Sequence, residues 1–538
     1  MMHVMIPALR RSLDDTDDSF RLSVARQLGI DAEEVKTVRV LRQAVDARKK
    51  GDVFFSVHAL ADLSGRAARR VLADKKLHAQ LWEEPTPVAP VHGKAPLPGR
   101  VVVVGMGPSG LFAGYLLARE GYLPLIVDRG KAMDERVQDV DRYWRTGRAD
   151  PESNPLFGEG GAGTFSDGKL TARSKDWRCA TVLDTFLACG APEEIGVLSK
   201  PHVGTDRLRQ VVKNLREEIL HLGGEVRFST RLETIHMKDG CIRSVTVVHD
   251  GVSEEIACGA LVLAIGQGAR DTYRYLSDAG FALAPKPFAV GVRAEHPQTL
   301  INESQYGPFA GHPALGAASY KLVCHTPDGR GVYTFCMCPG GFVVGAGAGP
   351  KEMVVNGMSH FDRAGQNANA ALVVQVFPKD FGEGPLDGMR FQQRLEEAAW
   401  DLGGGEGLAP ACRMGDFLAG RGTVRFGAVH PTFRPGVTGA DLNGCLPPFV
   451  ADGLREAMAV FARQIKGFDM PDAVLTAVES RTSAPVRILR GEDMQSLTHG
   501  GVYPVGEGAG YAGGIVSSAV DGLKAAEAII SQFRPARP

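Results

Sequence analysis

The stretch VVVVGMGPSGLFAGYLLAREGYLPLIVDRG, residues 101–130, predicts a strand, a glycine-rich turn, a helix and a second strand. In the turn, Gly105 allows a sharp bend, Gly107 lets the backbone approach a phosphate, and Gly110 lets the helix pack closely on the sheet. Asp128 ends the second strand, where its carboxylate can accept hydrogen bonds from both ribose hydroxyls and would repel a 2′-phosphate. The stretch therefore predicts a dinucleotide site that disfavours NADP.

The composition is that of an ordinary globular protein. At 538 residues the chain is long enough for two or three domains, and its net charge of −1 gives no general attraction to nucleic acid or anionic membranes. Its apolar runs are shorter than the ~20 residues of a membrane-spanning helix, and we identify no signal peptide. Nine scattered cysteines do not suggest a disulfide framework, and no cysteine or histidine cluster has metal-site spacing. We therefore expect a cytoplasmic protein without a metal centre.

Three further glycine-rich segments bear on which dinucleotide is bound. An NAD site is largely complete within one half of such a fold, whereas FAD needs more partners along its ribityl chain and ring. The segment YPVGEGAGYAGGIVSSAVDG (503–522) resembles the second flavin fingerprint of the two-dinucleotide-domain flavoproteins, with Glu507 where aspartate is usual. LVLAIGQGARD (261–271) resembles the strand-and-glycine motif that crosses near the cofactor, and FGEGGAGTFSDGKL (157–170) resembles the loop that touches it.

The cofactor implied by this resemblance is FAD. The residues predicted to bind it are Gly105, Gly107, Pro108, Ser109, Gly110, Asp128, Arg129, Gly160, Gly161, Gly163, Thr164, Gly266, Gly506, Glu507, Gly513, Gly514 and Ile515.

The resemblance narrows further when KPFAVGVRAEHP (286–297), GVYTFCMCPGG (331–341) and NGMS (356–359) are added to these motifs. Together they are similar to a family of uncharacterised bacterial FAD-dependent dehydrogenases, often described as NAD(FAD)-utilising dehydrogenases. The similarity spans most of the chain. It implies a fold and a cofactor, but no substrate.

The predicted fold class is α/β. A Rossmann-like FAD-binding domain is formed by residues 100–275 and 484–538, with an α+β substrate or cap domain, residues 276–483, inserted between them. Residues 1–84 alternate strand and helix patterns and predict a small α+β domain of ferredoxin-like type, joined by a proline-rich linker at 85–99.

A second nucleotide fingerprint in the middle of the chain would indicate a dedicated NAD domain. The nearest match, FVVGAGAGPKEMVV (342–355), has glycines after an apolar run, but Pro350 and Lys351 interrupt the helix that should follow. We predict a loop there, and hence a cap over the flavin rather than a second nucleotide domain.

No motif identifies catalytic residues. Weak candidates are the basic and thiol side chains of the predicted cap and of the segment before the last fingerprint: Lys286, Arg293, His296, Cys336, Cys338, Arg481 and Arg487. Isolated basic residues are more often surface or ion-pair residues, and a structural pair of Arg481 or Arg487 with Glu479 or Glu492 is equally plausible.

The two candidate cysteines stand two residues apart in a predicted strand. Their Cα atoms would then lie roughly 6.5–7 Å apart, which is marginal for a disulfide, and simple packing beside a turn is favoured. Asn356 and Ser359 are expected to line the cavity.

The leading functional hypothesis is an FAD-dependent oxidoreductase, a dehydrogenase or reductase acting on an unidentified small molecule. NADH, NADPH or a protein would recycle its flavin. One alternative is a flavoprotein whose N-terminal domain binds RNA or protein, but no stacking aromatics accompany its basic helices, so nucleic acid is disfavoured. Another is a non-catalytic FAD-binding sensor. The sequence leaves the oligomeric state open.

Overall fold

A computed structural model describes residues 2–83, 89–172 and 174–536. Residues 85–88 of the predicted linker lie outside this range. The chain is a mixed α/β protein, as its sequence predicts, and its described residues form three sheets of four or more strands. In the described part of the chain, no helix is long and apolar enough to cross a membrane.

The N-terminal region is a four-stranded antiparallel sheet in the order β2–β3–β1–β4, which is the ferredoxin-like arrangement. Its elements are β1 (Met2–Arg11), α1 (Asp17–Leu28), β2 (Val35–Asp46), β3 (Phe54–Leu63), α2 (Gly65–Ala73) and β4 (Gln80–Leu81). Thr16 caps α1 by accepting the amide of Ser19, and Gly29 ends it at φ +64°. Alternate residues of β1 and β3 face the two helices and form one core.

The second region contains a parallel sheet in the order β7–β6–β5–β10–β22. The first half of β10 also pairs with an antiparallel hairpin, β8–β9. The elements before the insertion are β5 (Arg100–Val104), α3 (Pro108–Arg119), β6 (Leu125–Val127), α4 (Met133–Thr146), α5 (Arg178–Ala188), α6 (Gly204–His221), β7 (Glu225–Arg227), β8 (Thr230–Lys238), β9 (Cys241–His249), β10 (Val252–Leu263) and α7 (Arg270–Asp278). Because β5 is covered on both faces, its four valines are almost fully buried.

The third region is a seven-stranded sheet in the order β13–β14–β17–β12–β20–β18–β19. The inserted elements are β11 (Leu283–Pro285), β12 (Phe288–Pro297), α8 (Gln298–Tyr306), β13 (Val323–His325), β14 (Gly331–Cys338), β15 (Phe342–Gly345), β16 (Val355–Met358), β17 (Asn367–Val376), α9 (Pro378–Phe381), α10 (Asp387–Leu402), β18 (Ala409–Arg413), α11 (Met414–Leu418), β19 (Val437–Gly439), α12 (Pro448–Gln464) and β20 (Val474–Glu479). Strands β15 and β16 pair with each other, and no helix follows β15, so the FVVGAGAGP segment lacks the helix of a nucleotide fingerprint.

The chain then returns to the second region through β21 (Val486–Ile488), β22 (Val502–Pro504) and α13 (Ile515–Gln532). β22 completes the parallel sheet beside β10, and β21 pairs with β11 at the start of the insertion. The first and last fingerprints, nearly four hundred residues apart, therefore belong to one sheet. In the sequence, the cap is inserted between β10 and β22, which are neighbouring strands of that sheet.

Candidate cofactor-binding site

The first glycine turn joins β5 to α3 and packs tightly on the neighbouring strand. Gly105 has φ +100°, and a Cβ atom there would lie 2.3 Å from the carbonyl oxygen of Ala264, so only glycine fits. A Cβ atom on Gly110 would lie 1.8 Å from the carbonyl oxygen of Gly105. Gly107 immediately precedes α3, and Pro108 is its first residue. The helix start therefore presents amide groups without intrahelical partners, which suits a phosphate.

A second glycine loop, residues 157–165, lies directly on this turn. The amide of Gly160 donates to the carbonyl of Met106 at 2.8 Å. A Cβ atom on Gly161 would lie 2.8 Å from the Cα atom of Gly107, so the two backbones touch because both residues are glycine. The loop and the helix start thus form one wall.

The same loop reaches the start of the C-terminal helix. A Cβ atom on Gly163 would lie 3.0 Å from Cγ1 of Ile515, the first residue of α13. Thr164 is fully buried, and its carbonyl accepts the hydroxyl of Thr205 at 2.7 Å. Thr164 therefore holds the loop in place from behind.

Glycines also bring the remaining two motifs into contact. A Cβ atom on Gly506 would lie 2.5 Å from Oγ of Ser109, and one on Gly522 would lie 2.0 Å from the carbonyl oxygen of Ser109, so α13 packs directly on α3. A Cβ atom on Gly508 would lie 2.6 Å from the carbonyl oxygen of Gly266. Four motifs that are far apart in sequence therefore form one continuous surface.

Above this surface there is unfilled space at four of the predicted glycines. Among the described residues, a Cβ atom on Gly266 or Gly513 would meet nothing within 4 Å beyond its chain neighbours. For Gly107 and Gly514 the nearest atom would be 3.8 Å away. These four positions lie at the start of α3, after β10 and at the start of α13, so each of these segments leaves its backbone open to a ligand. Glycine at these positions lets the backbone lie against such a ligand.

The carboxylate of Asp128 organises the loops around the site. It is buried and accepts hydrogen bonds from three backbone amides, those of Met106 (2.7 Å), Gly130 (2.8 Å) and Gly158 (2.9 Å). A carboxylate has about four acceptor positions, so little capacity is left for the two ribose hydroxyls that the sequence assigns to it. Arg129 is also engaged, because it pairs with Glu152 at 2.7 Å and with Asp271 at 2.8 Å.

Glu507 contrasts with Asp128, since no described group donates a hydrogen bond to its carboxylate. Burial raises the pKa of Glu507 to about 7, against the opposing effect of nearby Lys286. The amine of Lys286 donates to Oγ of Ser483 at 3.1 Å, and burial together with the charge of Arg487 lowers its pKa. A carboxyl group with free acceptor capacity therefore lies near the cation of Lys286, which in turn lies near Arg487.

Two of the predicted catalytic candidates, Arg293 and His296, lie on β12 in the core of the cap. Arg293 is fully buried and binds Glu479 through Nε (2.9 Å) and Nη2 (3.0 Å), while its Nη1 donates to the carbonyl of Cys336. His296 is also fully buried, its Nε2 lies 2.6 Å from the carbonyl oxygen of Phe468, and burial lowers its pKa to about 4. Both side chains are buried, and their hydrogen-bond partners belong to the protein itself, which favours a structural role.

The arginines before the last fingerprint differ from each other. Arg481 does not pair with Glu479 or Glu492; it donates through Nη2 to Glu352 (2.7 Å) and to Glu396 (2.8 Å). Arg487 lies over the ring of Tyr511, with its Cζ atom 5.1 Å from the ring centre, and donates to the carbonyl of Gly510 at 3.3 Å. Arg481 is therefore a structural ion-pair residue, whereas Arg487 remains beside the cofactor surface.

The two cap cysteines are both free thiols. Cys338 is buried and its Sγ lies 3.2 Å from the carbonyl oxygen of Cys336. Cys336 is exposed and has φ +41° at an irregularity in the pairing of β14 with β17. Asn356 accepts from Arg293 at 3.3 Å, and Ser359 donates to buried Asp167, so both serve the structure around the cap edge.

Sequence reasoning missed two side chains of this site. Asp521 accepts a hydrogen bond from the amide of Gly506 at 2.7 Å and pairs with Arg490. Its position inside the last glycine-rich motif could have identified it from the sequence. Arg136 lies buried behind the second glycine loop. Nothing in its charged helical segment distinguishes it from a solvated arginine.

No group of three or more His, Cys, Asp or Glu side chains within residues 2–83, 89–172 and 174–536 is arranged to hold a metal ion.

Comparison with known families identifies the cofactor. Residues 287–482 match the model of an FAD-dependent protein, C-terminal domain-like, and residues 5–61 match a domain of unknown function (DUF8436). FAD is therefore the cofactor of the chain.

Solved structures of flavoproteins superpose only loosely on the chain. A triple mutant of the flavin-dependent brominase Bmp2 is 12% identical, with 80% of this chain and 79% of that chain covered and a TM-score of 0.35. CtdE in complex with FAD is 12% identical, with coverage of 79% and 83% and a TM-score of 0.31. Superpositions this loose carry no information about the reaction.

A relative matches over the full length. An uncharacterized protein of Clostridium beijerinckii is 46% identical over 537 residues, which cover 99% of both chains. The chain, whose cofactor is FAD, therefore belongs to the same family as this Clostridium beijerinckii protein.

Proposed function

We propose that the protein is an FAD-dependent oxidoreductase, a dehydrogenase or reductase that acts on a small molecule held between the flavin and the cap. The observation that carries this proposal is the direct contact among the four glycine motifs, which leaves Gly266 and Gly513 open to a ligand. We place the activity in the cytoplasm, where its nine unpaired cysteines would stay reduced.

The chain's own groups suit the parts of FAD in order. The amides at the start of α3, beside Gly107, would bind the pyrophosphate, since a helix N-terminus favours anions. Glu507 would accept hydrogen bonds from ribityl hydroxyls, and the start of α13 at Gly514 would face the ring. When bound, FAD supplies hydride and single-electron chemistry, and the protein supplies access and orientation.

The cap is fastened beside the ring end of this space. Lys169, which follows the second glycine loop, donates to the carbonyl of Met337 in β14, and Arg363 of the cap binds Asp167 in the same following segment. On the cap sheet, the half-buried Tyr333 and Phe335 lie on the face that carries Ala289 and Ala371. This partly apolar face, with the exposed Cys336 at its end, would form the substrate side of the cavity.

The test is the visible spectrum of the flavin-loaded protein, followed without oxygen as NADH and then NADPH are added. Bleaching of the flavin bands by either nucleotide supports a pyridine-nucleotide-dependent oxidoreductase and identifies its donor. A flavin that neither nucleotide reduces, but dithionite does, would point to a protein donor or to a sensing role. Protein that fails to retain FAD after reconstitution would contradict the proposal.

A further inference from the structure

Arg136 of α4 is a fully buried guanidinium group. Its Nε donates to the carbonyl of Asn154 at 3.1 Å, and its Nη1 donates to the carbonyls of Glu159 (2.6 Å) and Gly161 (3.0 Å). Its Nη2 has no hydrogen-bond partner in the described part of the chain. All its hydrogen-bond partners there are neutral backbone groups.

A buried cation without an anion is unusual, because transfer out of water is costly unless the charge is compensated. Five arginines are buried among the described residues, and four of them contact a carboxylate: Arg270, Arg293, Arg330 and Arg481. Arg136 alone of these has no such contact. Burial lowers its pKa to about 9, while the more distant charges of Asp128 and Glu159 oppose that change. The group is therefore still charged at neutral pH.

The position of Arg136 indicates where its anion would bind. The carbonyls that it holds belong to the second glycine loop and the segment just before it. That loop touches Gly107 at the start of α3, since a Cβ atom on Gly161 would lie 2.8 Å from the Cα atom of Gly107. The Arg136 guanidinium, which contacts no carboxylate, and the amide-presenting helix start thus both lie against Gly161 of this loop.

We propose that Arg136 supplies the buried counter-charge for the pyrophosphate of FAD and fixes the glycine loop that covers it. This assignment rests on the placement of FAD given under the proposed function. It makes Arg136 a positioning residue whose electrostatic contribution depends on the diphosphate and not on the adenosine or the flavin ring.

The test compares two probes on flavin-free protein, ADP and adenosine, by calorimetric titration. ADP carries the pyrophosphate of FAD, whereas adenosine lacks it. In Arg136→Met we expect ADP affinity to fall about 10- to 100-fold, the effect of losing a strong interaction with a charged group. Adenosine affinity should change less than about threefold, so the ratio of the two affinities is the readout.

Two further variants test whether a change in the ratio of ADP affinity to adenosine affinity is specific to Arg136. Arg216→Met is the matched control, because Arg216 contacts the same loop through Glu159 but is compensated by Glu159 and Glu217. It should leave the ratio near that of the wild type. Arg136→Lys keeps the charge without the planar fork and should give an intermediate ratio. It also serves if the methionine variant, which leaves three carbonyls without their donor, does not fold.

An ADP-to-adenosine ratio in the Arg136 variants equal to that of the wild type would overturn the assignment and leave Arg136 as a structural brace. Wild-type protein that binds FAD but shows no preference for ADP over adenosine would place the pyrophosphate elsewhere, which also overturns it. Neither result bears on whether the bound flavin is reduced by a donor. If no donor reduced the bound flavin, the expected differences in the ADP-to-adenosine affinity ratio between the variants would still hold.

Discussion

Arg136 and Arg481 are both buried guanidinium groups, and each leaves one nitrogen without a partner in the described part of the chain. They differ in their surroundings. Arg481 contacts two carboxylates, Glu352 and Glu396, and these also bind Arg270, so two cations face two anions. In the described part of the chain, Arg136 donates hydrogen bonds to backbone carbonyls only, and its Cζ atom lies 4.8 Å from the ring centre of Phe165.

The two regions also differ in what they join. The four-charge cluster links α7 of the FAD-binding region to α10 and the segment after β20, so it fastens the cap to the cofactor domain. Its charges are balanced without a ligand. Around Arg136, the charges of Asp128 and Glu159 act from a distance, and no carboxylate contacts the guanidinium in the described part of the chain. A buried cluster with direct ion pairs on every member indicates a structural connection, whereas a buried cation without a contacting carboxylate leaves room for an anionic ligand.

The largest effect should follow from removing one member of the balanced cluster. Arg481→Met leaves two carboxylates against one arginine, and we expect a loss of about 3–5 kcal/mol in the free energy of unfolding. The urea-unfolding midpoint measures it. FAD affinity per folded molecule should stay within about threefold of the wild type, because the cluster is complete without the cofactor.

Arg421→Met provides the control for that comparison. Arg421 also pairs with a carboxylate, that of Asp416, but its side chain is 68% exposed. Exposed pairs contribute about 0–1 kcal/mol, so its loss should be small. Similar losses for Arg481→Met and Arg421→Met would contradict a structural role for the buried cluster.

A smaller effect should come from filling the space that the cofactor needs. Gly513→Val should leave the melting temperature of the flavin-free protein unchanged, because a Cβ atom there meets nothing within 4 Å in the described structure. Its side chain would overlap bound flavin, so we expect FAD affinity to fall by about tenfold or more, equal to ~1.4 kcal/mol. Fluorescence titration of the flavin measures it.

The matched control is Gly316→Val, since a Cβ atom on Gly316 is equally free of contacts and lies in the cap sequence between α8 and β13. It should alter neither quantity. If Gly513→Val binds FAD as tightly as Gly316→Val, the ring does not lie against the start of α13.

The smallest effect concerns pH. Burial raises the pKa of Glu507 to about 7 from an ordinary 4.5, so folding of the flavin-free protein takes up a proton between these values. The stability that this group contributes is therefore lost as pH rises from 4.5 to about 7. A ribityl hydroxyl that donates to the carboxylate favours its ionised form, and binding of FAD then releases the proton.

FAD affinity should consequently rise several-fold as the pH is raised from about 6 to about 8, and Glu507→Gln should remove this dependence. Lys286, the nearest cation that opposes the raised pKa, stays in place in both proteins. A wild-type affinity that is flat over this range would exclude Glu507 from the ribityl contact.

The sequence was sufficient for those parts of the site that depend on backbone geometry. A turn after β5 that closes on Ala264 accepts only glycine at Gly105, so the spacing of glycines predicts the turn directly. The same holds for Gly107 and Gly161, whose backbones touch. Some of these constraints act between residues close in sequence, and others recur in proteins with this fold. Both kinds leave a pattern of glycines that can be recognised in the sequence.

Side-chain roles set by distant partners were not predictable in this way. Arg293 and Glu479 lie 186 residues apart, and the alternation of charged and apolar residues in β12 resembles a strand with one solvated face. Only the folded structure shows that this charged face is buried, since Arg293 and Glu295 are both fully covered. Asp128 likewise binds an amide 30 residues further along the chain, that of Gly158.

The most direct measurement is a crystal structure of the protein with FAD. We predict that the cofactor runs from the start of α3, past Glu507, to Gly513 and the start of α13, with its pyrophosphate against the glycine loop that Arg136 holds. FAD bound with its ring away from Gly513, or with its pyrophosphate away from that loop, would contradict this placement and the role of Arg136.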